Sequence, residues 1–140
     1  MKFLIFIALL LIQSCYSSDC NSKIEIENIV IEAANNINIS YCDLVNNSLN
    51  GNPYAIKKLL CHHYFDGESS YLHSFYVYKI SQELGEDKVI SIMKSFNEKK
   101  LLYYYSNLEF GIEQTNINKS IEIVFPKLYQ ELWNNKNPMH

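Results

Sequence analysis

Arginine is absent from the 140 residues, glycine and proline number only four and three, and beyond residue 14 no apolar run is long enough to cross a bilayer. Each shortage excludes something. Few glycines and prolines exclude collagen-like and linker-like chains, while 48% hydrophobic residues exclude wholesale disorder. Without arginine, and with 12 lysines against 15 acidic residues for a net charge of −3, the chain is not expected to bind nucleic acid, which needs a clustered basic face. Nucleophile elbows, phosphate loops, EF-hand loops and Cys-x-x-Cys pairs are also missing, which argues for binding over catalysis. What remains fits one small domain.

Lys2 precedes the apolar run of residues 3–12, after which come Gln13, Ser14 and Cys15. One positive charge, a short apolar core and small or polar residues form the layout of an export signal. Ile12-Gln13-Ser14-Cys15 resembles the lipobox of bacterial lipoprotein precursors, although Gln13 stands where a small residue is usual. The resemblance covers the first 15 residues. It implies that residues 1–14 are removed and that Cys15 carries lipid, anchoring the protein to a membrane of the bacterial envelope. The alternative is cleavage after Ser17, which leaves a secreted or periplasmic protein. Residues 15–22 then read as a polar tether, 23–133 as the folded domain and 134–140 as a disordered tail.

Beyond Cys15 the cysteines are Cys20, Cys42 and Cys61, an odd number that permits one intrachain disulfide. Cys42 and Cys61 both fall inside the domain and are expected to pair, closing a loop of about 20 residues worth roughly 3 kcal/mol. Cys20, in the tether, is expected to be free or intermolecular.

The apolar spacing predicts an all-α domain of about six short helices stacked as helical hairpins, either HEAT-like or an irregular bundle. The first helix spans residues 22–36, although its isoleucines also allow a strand from Ile24 to Ile31, and the second spans 40–49 with Ser40 as N-cap. Gly51-Asn52-Pro53 predicts a turn, an Asn52 cap and a third helix opening at Pro53. Asp66-Gly67 stops that helix, and Ser69 or Ser70 caps a fourth with Leu72, Phe75, Tyr76, Ile80 and Leu84 inward. Gly85 ends it, and Glu86 and Asp87 begin a fifth. A sixth contains Leu101, Tyr104, Tyr105 and Leu108 and is closed by Gly111. The stripe from Ile121 to Leu132 is interrupted at Pro126, which either kinks that helix or starts it. The segments opened by Gly51 and Gly85 resemble each other 34 residues apart, though no third copy follows. As a whole the domain resembles small helical envelope proteins, which carries no catalytic residues over.

The densest set of potential ligands runs from Cys61-His62-His63 through Asp66 and Glu68 to His73. His63, His73 and Asp66 are the candidates for a metal-dependent or acid/base envelope hydrolase. No His-Glu-x-x-His occurs, and neither a metal nor a cofactor is expected. The ordinary reading puts His62 on the surface and leaves His63 and His73 partly buried. Eleven tyrosines invite a contact surface, with Tyr78 and Tyr103 outward and Tyr76, Tyr104 and Tyr105 in the core. The sequence therefore points to a lipid-anchored module with a protein partner, and secondarily to the hydrolase or to an inhibitor or immunity-type protein.

Overall fold

Asn52 sits in an extended conformation and its Oδ1 accepts the backbone N–H of Ala55 at 3.0 Å, so a helix starts at Pro53, where the missing proline donor costs nothing. Asn97 caps the helix that follows it in the same way, its Oδ1 accepting the Lys100 N–H at 3.0 Å. The computed structural model describes residues 20–115 and 117–140. Among them are eight α-helices: α1 (Asn28–Asn36), α2 (Tyr41–Leu49), α3 (Pro53–Leu60), α4 (Gly67–Leu84), α5 (Glu86–Met93), α6 (Glu98–Glu113), α7 (Ile121–Val124) and α8 (Pro126–Trp133). The all-α class is as the apolar spacing predicts, with an irregular arrangement. The stripe from Ile121 divides at Phe125, and Pro126 opens α8.

α3 and α4 are shared between two apolar clusters. Ala55 and Leu59 of α3, with Tyr76 and Ile80 of α4, pack against Val30 and Ala34 of α1 and Tyr41 and Val45 of α2. Ile56 and Leu60, with Val77 and Tyr78, pack instead against Met93, Tyr104, Leu108, Leu128 and Trp133. A fully buried Leu or Ile contributes about 1.5–3 kcal/mol, and both sides of α4 do so. Tyr76, Tyr104 and Tyr105 are core residues as expected, but Tyr78 is buried too, against the expectation that it faces outward.

α6 lies closest to α4. A Cβ on Gly111 would come within 2.3 Å of the Ser74 carbonyl oxygen, so glycine is the residue that permits this approach. Gly111 is therefore interior to α6, where the sequence reading had it closing the helix. The same seam carries a Ser81–Tyr104 hydroxyl bond at 2.9 Å, and Gln114 donates to the Tyr71 carbonyl at 2.6 Å. Asp66, not Ser69 or Ser70, is the N-cap of α4, and Ser69 donates back to its carbonyl at 2.8 Å. α5 and α8 are clamped by Glu86, which accepts the Leu128 N–H at 2.7 Å, and by the Lys127–Asp87 and Lys94–Glu131 pairs.

The N-terminal border also differs. Helix begins at Asn28 rather than Ser22; before it, Lys23 and Glu27 meet Glu83 and Tyr76 of α4, and Asn21 lies against α2, where Asn46 Nδ2 donates to its carbonyl at 3.0 Å. Cys20 is thereby brought to Cys42 and bonded to it, with Cα atoms 5.6 Å apart. This corrects the expected Cys42–Cys61 pairing. Cys61, at the C-cap of α3, packs against the other apolar cluster and is a free thiol. Residues 20–22 thus belong to the fold and not to a tether. Cys15, with the rest of residues 1–19, lies outside the described residues.

Candidate functional site

α3 ends at Leu60, and residues 62–66 continue without helix, so His62 and His63 point to opposite environments. His62 is 5% exposed and turns inward, where its ring lies 5.3 Å from that of His73. His63 is exposed and stacks on Tyr103 of α6, with ring centroids 3.7 Å apart and planes 12° from parallel. This reverses the expectation for the two residues, which rested on helical geometry continuing to Asp66.

The turn holding them is fixed by Asn107, in the middle of α6. Its Nδ2 donates to the carbonyls of Leu60 at 3.1 Å and His62 at 3.0 Å, and its Oδ1 accepts from Ser74 at 3.3 Å. Nothing in the sequence marks this asparagine. Its role depends on α4 and α6 packing first.

His73, on α4, is fully enclosed by Tyr41, Phe65 and His62. Its Nδ1 shares a hydrogen bond with the Tyr41 hydroxyl, 2.6 Å away, and its Nε2 is buried without a partner. Burial pushes His73 down to about 3, with His62 adding to the shift, and pushes the Tyr41 hydroxyl well above its usual range. Burial likewise lowers His62 to about 4, helped by His63 and Lys58. Both imidazoles are neutral at pH 7.

The structure does not assemble His63, His73 and Asp66 into a site. His73 is sealed inside, His63 lies on the surface against Tyr103, and Asp66 is the exposed cap of α4. Among the described residues no three His, Cys, Asp or Glu side chains are placed to hold a metal ion.

What the structure does assemble is a groove of about 710 Å³ between α3, the 61–64 turn and the start of α6. Lys57 and Lys58 stand on one side, Lys99 and Lys100 on the other, with Tyr54, Tyr64, Tyr103, Phe96 and Ile39 between and around them. Lys57 and Lys100 both reach over the Phe96 ring, at 5.1 and 4.9 Å from its centre. No carboxylate lines the groove. Tyr54 and Tyr64 are 74% and 71% exposed, more than any other large apolar or aromatic side chain in the described residues. Cys61 is half-buried in its wall, and burial pushes its thiol up to about 12 despite Lys100, so it is no nucleophile at neutral pH. The sequence reading missed all four lysines. Two Lys-Lys pairs are visible in the chain, but only the fold makes them neighbours.

No family model, curated protein or solved structure matches this chain.

Proposed function

We propose that the protein is an exported binding module, anchored to the envelope through lipid on Cys15, that holds a macromolecular partner in the lysine and tyrosine groove. The observation that carries this is charge segregation. In a chain of net charge −3, four lysines gather where no carboxylate lines the groove, beside two unusually exposed tyrosines. Tyrosines are enriched in contact surfaces, which a polar, solvated rim surrounds. The Cys20–Cys42 disulfide supports export, since such bonds persist in oxidising compartments.

A photo-crosslinking amino acid placed at Tyr64 should trap a discrete macromolecular partner in cells, while the same group at exposed Lys136 should not. Equal capture at both positions, or none at Tyr64, overturns the reading. Anchoring is tested separately by labelling with a palmitate analogue: the label should disappear in Cys15→Ala, and its persistence would leave a protein without the proposed anchor.

A further inference from the structure

Resting on that reading, we infer that the occupant of the groove is an acidic peptide segment of a partner protein, one that offers carboxylates to the four lysines and an apolar side chain to Ile39 and the exposed ring of Tyr54.

The groove lysines make cation–π contacts with Phe96 and Tyr103 but no ion pair. The three ion pairs among the described residues use Lys23, Lys94 and Lys127, none of which lines the groove. Lys99 and Lys100 occupy the first turn of α6, where the helix dipole disfavours cations by about 0.3–1 kcal/mol each. Glu98 shares that turn but does not line the groove. Four unneutralised cations in one groove mark an anionic ligand.

The remaining chemistry narrows the class. A neutral sugar polymer brings no anion to four ammonium groups that no carboxylate in the groove balances. Single-stranded nucleic acid needs open aromatic faces for its bases. Here His63 stacks on Tyr103 and lies against Tyr64, and the Phe96 ring carries the ammonium groups of Lys57 and Lys100, so Tyr54 is left as a single open ring where a strand of bases needs successive platforms. A peptide carboxylate, by contrast, accepts from lysine, while half-buried Ile39 and the exposed ring of Tyr54 can meet an apolar side chain.

The test is fluorescence anisotropy on the full chain with its disulfide intact. The probes are a labelled peptide alternating Glu with Leu and Phe, its Gln counterpart, an oligothymidylate and a polygalacturonate fragment. The Glu peptide should bind best, should weaken with added salt, and should lose about tenfold in affinity in the Lys57→Gln/Lys100→Gln double variant. A Lys94→Gln/Lys127→Gln control should bind as the parent does. Equal binding of the Gln peptide, tighter binding of either polymer, an unaffected double variant, or no binding of the Glu peptide overturns the inference. Capture at Tyr64 together with failure of the peptide would sink the peptide assignment alone, whereas absence of capture would sink the binding role itself.

Discussion

His62 and His73 are two imidazoles kept neutral by burial, and their cost appears on acidification. Their folded values, about 4 and about 3, lie below the unfolded value of about 6.5, so the unfolded chain binds more protons between those limits. Stability from this source is complete above pH 6.5 and is lost progressively as the pH falls through 6.5 towards 4. Chemical denaturation at pH 7 and pH 4.5 should show a loss of several kcal/mol, each pH unit below 6.5 costing about 1.4 kcal/mol per buried imidazole. His62→Phe should reduce that loss and should not destabilise the protein at pH 7, because it removes a buried Nε2 that has no partner. An unchanged pH dependence in this variant would mean that His62 is not buried in solution. The placement of these residues was not legible in the sequence. Angular spacing on a helix predicts orientation only while the helix lasts, and α3 stops at Leu60, ahead of both His62 and His63.

At the scale of elements, the seam between α4 and α6 positions the groove, because Asn107 reaches from it to the 61–64 turn. Asn107→Ala leaves the Leu60 and His62 carbonyls without this donor and should cost about 1–3 kcal/mol in denaturant unfolding. It should also weaken partner capture at Tyr64 at temperatures where the fold is retained. Gly111→Ala drives a methyl into the Ser74 carbonyl and should destabilise by about 1–3 kcal/mol or more, measured by thermal melting. A melting temperature equal to the parent's would show that the helices are not so close. A helix start with a local chemical cause, such as Asn52-Pro53, could be read directly. The seam could not, since Ser74, Ser81 and Gly111 look like surface or helix-stop residues until two helices meet over them.

For the whole molecule, the fold class and most of its helices follow from apolar periodicity, while the cysteine pairing does not. Cys20 meets Cys42 only because the segment before α1 crosses α4 and starts against α2, and no spacing rule encodes that path. The bond closes a loop across 22 positions and should contribute about 3 kcal/mol. Cys20→Ser/Cys42→Ser should lower the unfolding free energy by that amount, and an equal stability would show that the bridge is dispensable to the fold. The groove escaped the sequence reading for a similar reason: α3 and α6 are remote in the chain, and each Lys-Lys pair alone resembles an ordinary solvated face.

The same bridge decides how the molecule carries load. Tension applied ahead of Cys20 passes through the sulfur bond directly into α2, and α1, lying inside the closed loop, is off the force path. Stretched to full unfolding, the bonded chain should lengthen by roughly 70 Å less than the reduced one. A protein held by its N-terminus would then keep α1 shielded while its partner pulls.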